Sequence, residues 1–206
     1  VNRLTIAQTV NTLAGTQGTV DSTTSPVGYQ SVLINMVDRA YNDIQIMRKD
    51  WKFMRGTVNI LVNETDSSYS NPSEIAEVER VIYDKDPLRF IHYDTAILRD
   101  YTPGKPTYYT VNPLDNTITI NDLDTSYTCT VQYYRTPDVM TANTSIPIIP
   151  AQYHSVIVYK TLIDLGAYLG NYDLITNYGN KYSIEIGHLM RSQLPKKVLK
   201  PRPLVI

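Results

Sequence analysis

The sequence predicts an α+β chain: a helical bundle of three main helices, a small antiparallel β-sheet module inserted after the first of them, and an extended C-terminal arm. Three observations lead there. Apolar residues recur at three- and four-residue spacing over residues 29–54 and again over 151–194, the period of amphipathic helices. Between residues 57 and 135 the period drops to two, as in half-buried strands. The closing run PKKVLKPRPLVI carries prolines at 201 and 203, which remove backbone donors and bar a helix.

Taken in chain order, residues 1–14 read as a short helix with Leu4, Val10 and Leu13 available to pack, and a linker rich in Gly, Ser and Thr follows, so that 1–28 form an N-terminal segment. The first long helix places Val32, Leu33, Met36, Val37, Ala40, Ile44, Met47, Trp51 and Met54 on one face, with Gly56 as its stop. Most of its charged residues fall on the other face. The β-module with its connector occupies 57–149. Its clearest signal is the hairpin TVNPLDNTITI, where Asn112, Pro113, Asp115 and Asn116 provide turn chemistry and Val111 and Ile118, or their neighbours, set the register. Pro147 and Pro150 close an irregular connector. Two helices follow, one carrying Tyr153, Val156, Ile157, Ile163, Ala167 and Tyr168, the other running from about Asp173 to Leu194, where Pro195 ends it. Residues 29–56 and 150–194 therefore form the bundle, and 195–206 the arm.

Composition narrows the chemistry. Nineteen Lys and Arg against 20 Asp and Glu leave a net charge of −1, which argues against a dedicated phosphate-binding surface and leaves only passing, non-specific contact with DNA. No apolar run approaches the roughly 20 residues that span a bilayer, and residues 1–15 lack the apolar region of a secretory signal, so the chain is expected to be made in the cytoplasm with no membrane contact. The single Cys129 excludes an internal disulfide and reads as a buried strand thiol. Seventeen Tyr against two Phe and one Trp suit surfaces that are wet before assembly and buried after it, although a sheet and core that use Tyr would look the same.

The sequence contains no phosphate-binding loop, dinucleotide fingerprint, zinc-protease motif, nucleophile elbow or CxxC pair. His92, on a predicted strand, and His154 and His188, on two helices, lack a second ligand at metal-binding spacing, so no metal or cofactor is expected. Glu74, Glu77 and Glu79, with Asp122 and Asp124, are the carboxylates that a glycan hydrolase would need; turn-forming and solvated roles explain them without catalysis. Asn63 and Asn143 match the glycosylation pattern but read as ordinary loops. The arm is the candidate binding element. Val198, Leu199, Leu204, Val205 and Ile206 supply apolar surface, and Lys196, Lys197, Lys200 and Arg202 can meet acidic residues of a partner. Fully extended, it reaches about 40 Å, and a piece such as PLVI can add a strand to a neighbour's sheet edge.

The segment MVDRAYNDIQIMRKDWKFMRGTV, whose RKDWKF stretch closes the first helix, is followed after the sheet by YYRTPDVMTANTSIPIIPAQYHSVIVYKTLIDLGAYLG, with Pro150, Tyr153 and His154 opening the next helix. Together with the tail, these segments resemble the head-to-tail adaptor proteins of tailed bacteriophages, most closely those of short-tailed phages. The resemblance covers most of the chain. It implies a structural virion protein of the neck, without catalytic residues, present as a ring of twelve copies beneath the portal after DNA packaging. It also implies a helical core lining and helping to close the channel, a β-module meeting nozzle or fibre proteins of the tail, and an arm gripping the portal. A tail terminator or stopper ring is the structural alternative, and a virion-borne glycan hydrolase using Glu77 and Glu79 the enzymatic one.

Overall fold

The computed structural model describes residues 1–16, 19–24, 26–63, 67–70, 74–98, 103–121 and 123–195. In chain order the elements are α1 (Arg3–Leu13), α2 (Tyr29–Ile46), β1 (Arg55–Val62), β2 (Ser68–Tyr69), β3 (Ile75–Tyr83), β4 (Asp86–Pro87), β5 (Arg89–Phe90), α3 (Tyr93–Ile97), β6 (Tyr108–Val111), β7 (Ile118–Ile120), β8 (Tyr127–Arg135), α4 (Ser155–Leu169) and α5 (Tyr172–Gln193). They fall into two compact units. One is Val1–Phe53 with the residues from Pro137 onward, and the other is Met54–Thr136.

The helical unit is built around α4, which packs against α1, α2 and α5. Val156, Ile157, Leu162 and Leu165 are completely buried on it, and Thr161 hides its hydroxyl by donating to the Ile157 carbonyl at 2.8 Å. The expected apolar stripe on this helix is rotated: Ala167 and Tyr168 face outward, because a helix this apolar offers more than one candidate face. α1 is a full member of the bundle and not an appendage. Asn2 caps it by accepting from the Thr5 amide at 2.9 Å, and Ile6, Ala7 and Val10 are buried, whereas Leu13 is exposed. Four main helices thus replace the three predicted.

α2 ends at Ile46, well before the predicted stop at Gly56. Trp51 keeps the helical period in sequence but lies beyond the helix, fully buried, and its indole N–H donates to the Ile44 carbonyl at 2.9 Å. It therefore satisfies one of the carbonyls that a helix end leaves open. Gly56 lies in β1 instead, under the ring of Tyr133: a Cβ there would meet that ring at 2.4 Å.

The β-unit holds two four-stranded sheets where one small sheet was predicted, in the orders β1-β8-β3-β4 and β2-β7-β6-β5. Pairing is antiparallel except between β5 and β6, which run parallel. Side chains of both sheets share a core that includes Ile60, Val62, Val81, Cys129 and Val131 from the first and Tyr109, Ile118, Ile120 and Leu123 from the stretch forming the second. The β6–β7 hairpin has the expected register, Val111 opposite Ile118. Asn116 adopts a left-handed φ of 58°, and the Asn112 and Asp115 side chains accept from the Leu114 and Thr117 amides at 3.0 and 2.9 Å. The PLRFIHY stretch yields only two-residue strands before the chain turns into α3.

Candidate interaction site

The connector after β8 looks irregular in sequence, yet it is held by buried polar groups of the helical unit. Gln45, 1% exposed, clamps the backbone of Asp138: its amide nitrogen donates to the Asp138 carbonyl at 3.0 Å, and its oxygen accepts from the Asp138 amide at 2.8 Å. The Tyr41 hydroxyl donates to the Asp138 carboxylate at 3.1 Å and accepts from the Ile148 amide at 2.9 Å. Burial, more than the nearby carboxylate, pushes that phenol well above its usual range.

Arg3 draws the N-terminal helix into the same arrangement. Its guanidinium pairs with Asp38 on α2, donates to both the hydroxyl and the carbonyl of Thr23, and reaches the Thr141 carbonyl at 3.1 Å. Asn143, which reads as an ordinary loop residue, accepts from the Thr23 amide at 2.6 Å and so fastens the linker to the connector. None of these ties is visible in sequence, since each joins residues 20 to 138 positions apart.

The described surface displays apolar groups chiefly where elements turn. Gly170, at φ 67°, ends α4 in the left-handed conformation; the Asn171 amide returns to the Gly166 carbonyl at 2.8 Å, and the Asn171 side chain caps α5. This tight turn leaves Tyr168 and Tyr172 61% and 80% exposed, with Leu169 beside them. An amphipathic ring held outward on a rigid turn suits a surface that is covered by a partner. In the β-unit a groove of about 430 Å³ is lined by Val78, Phe90, Tyr109 and Val111 together with Glu77 and Glu79.

Of the carboxylates weighed for hydrolysis, Glu79 and Asp124 are engaged by neighbouring side chains. Glu79 shares one oxygen between Arg55 and Arg80, and Arg55 also lies over the Tyr134 ring. The Glu74 carbonyl accepts from the Thr136 amide at 2.8 Å, and Asp124 accepts from the Tyr127 hydroxyl at 2.6 Å. That bond raises the Tyr127 phenol to about 12. Asp122 lies outside the described residues.

The histidines are dispersed. His92 precedes α3, contrary to its predicted place on a strand, and packs against Phe90. His188 is exposed on α5 near Glu185. His154 is buried at the start of α4, where Nε2 donates to the Ile149 carbonyl at 2.8 Å while Nδ1 has no partner among the described residues. Among the described residues no three metal-ligating side chains cluster. Cys129 is buried in β8, and loss of solvent raises its thiol to about 11. The arm residues, Lys196, Lys197, Val198, Leu199, Lys200, Arg202, Leu204, Val205 and Ile206, lie outside the described residues. No described helix is long and apolar enough to cross a membrane.

Aromatic and aliphatic groups turned outward from a polar-fastened frame suit a surface that meets other proteins. The chain belongs to the SU10 adaptor protein family, whose model matches residues 2–199. It is a head-to-tail adaptor of phage virions, and the family takes its name from a short-tailed phage. Its role is structural and not catalytic. No curated protein matches the sequence.

Proposed function

We propose that copies of this adaptor close into a ring, twelve in number, that joins the portal at the capsid vertex to the tail and helps close the DNA channel after packaging. Family membership over residues 2–199 carries this reading. In it the helical unit supplies the ring contacts, and the β-unit, with its half-exposed Phe90 and the apolar groove beside it, meets nozzle or fibre proteins. The arm, from Lys196 to Ile206, tethers each copy to a second subunit of the neck. A ring requires two different surfaces on each copy that meet in a closing rotation, and a near-neutral chain passes DNA without reading its bases.

Electron microscopy of the assembled protein tests the ring directly: twelvefold symmetry is expected, and a sixfold ring would instead favour a tail-tube terminator. Deleting residues 195–206 is expected to leave the unfolding midpoint of the monomer unchanged and to abolish attachment to portal particles. Full attachment by the truncated chain overturns the arm's role.

A further inference from the structure

The long outer strand of the first sheet, β1, has one edge without a strand partner among the described residues; the next strand in the chain, β2, pairs with β7 instead. Which of its backbone groups are open follows from the strands beyond it. The Val81 carbonyl accepts from the Leu88 amide, so Val81 points away from β8, and Ile82 opposite Thr130 is a bonded pair. The Thr136 amide likewise bonds to Glu74 on the β3 side. Even-numbered residues of β8 therefore face β3, and Tyr127, Cys129, Val131 and Tyr133 bond Val62, Ile60, Val58 and Gly56 in an unbroken register. Arg55, Thr57, Asn59 and Leu61 are left with their N–H and C=O groups on the open edge. Their side chains are the exposed ones, and Leu61 is 69% exposed. β1 contains no proline, lysine or bulge, three of the devices that guard such an edge, and its one charged residue, Arg55, stands at its start.

We propose that residues 199–206 of a second copy add to this edge as an antiparallel strand. The inference rests on the ring reading above. Prolines at 201 and 203 lack N–H groups on the same side of an extended chain, so the arm can pair only through Lys200, Arg202, Leu204 and Ile206. That side offers four paired positions to the four open residues of β1. In antiparallel pairing, residues bonded across the two edges share a face. Antiparallel alignment of all four sets Lys200 opposite Leu61, Arg202 opposite Asn59, Leu204 opposite Thr57 and Ile206 opposite Arg55, all on the solvent face. Leu199, Pro201, Pro203 and Val205, all apolar, fall on the face of Val58, Ile60 and Val62. Parallel pairing would reverse the faces and turn Lys200 and Arg202 inward. Proline placement thus selects the side of the arm that pairs, the hydrophobic pattern then selects the antiparallel direction, and the prolines prevent a further strand from adding outside the arm.

Amide-resolved hydrogen exchange on the full-length protein, as dilute monomer and as assembled ring, tests this with two arm variants. Assembly is expected to slow the Thr57, Asn59 and Leu61 amides at least about tenfold. Leu204→Pro removes a pairing donor and is expected to lose that protection. Val205→Pro places the ring on the unpaired side and is expected to keep it. Equal behaviour of the two variants overturns the proposal, as do rings in which these amides exchange as in the monomer, the outcome expected if the arm belongs to the portal alone. The latter leaves the ring reading standing, whereas a chain that never self-assembles overturns both. Protection already present in the dilute monomer overturns the assignment to a second copy.

Discussion

Gln45 illustrates how one side chain can place a whole segment. Its amide matches both backbone groups of Asp138 in a buried position, so Gln45→Leu leaves a donor and an acceptor unsatisfied and is expected to cost about 2 kcal/mol. Urea unfolding at neutral pH measures this through the midpoint at constant slope. His154 carries a pH signature. Burial lowers its pKa below the ordinary 6.5, so on acidification the unfolded chain takes up the proton first. Stability contributed by the neutral ring is therefore complete above about pH 6.5 and is lost as pH falls from there towards the lower native value. The loss between pH 6.5 and 5 is expected to shrink in His154→Gln; an unchanged acid limb would assign it to other groups.

At the scale of elements, the α4–α5 hairpin depends on how closely its helices approach. A Cβ at Gly166 would lie 3.0 Å from the Asn171 carbonyl oxygen and from Leu174 and Ile175. Gly166→Ala is expected to destabilise by about 1–3 kcal/mol, because the clash with backbone outweighs the roughly 1 kcal/mol that alanine gains in a helix. Gly179, in the middle of α5, has open space around its position. Gly179→Ala is therefore expected to stabilise by up to about 1 kcal/mol. Thermal melts of the two variants should move in opposite directions. The hairpin itself is legible in sequence, since Gly170 and Asn171 are strong stop and start signals. Where α2 ends is not, because Trp51 continues the apolar period while leaving the helix.

At the scale of the molecule, a net charge of −1 sets the expected relation to DNA. Binding to duplex DNA is expected to be weak and to vanish by about 0.15 M salt, as read by gel shift or fluorescence anisotropy; tight, salt-resistant binding would require a phosphate-reading surface that the composition does not suggest. In the proposed ring, the contacts between copies then rest on shape and apolar surface. Val27, Leu114 and Tyr172 are among the residues more than three-quarters exposed, consistent with a chain that must stay soluble alone and bury more on assembly.

Much of the fold follows from the sequence alone, because period, turn residues and prolines act locally: the long helices α2, α4 and α5, the β6–β7 hairpin with Val111 opposite Ile118, and the α+β class are all written in near-neighbour chemistry. The adaptor resemblance was legible for the same reason, through the order and spacing of those segments. Only the tertiary structure decided that α1 joins the bundle, that the strands divide into two sheets, and that the connector is fastened by Arg3, Tyr41 and Gln45. Each of these depends on groups far apart in the chain meeting where water is excluded, and a polar residue reads as solvated until its distant partner is in place.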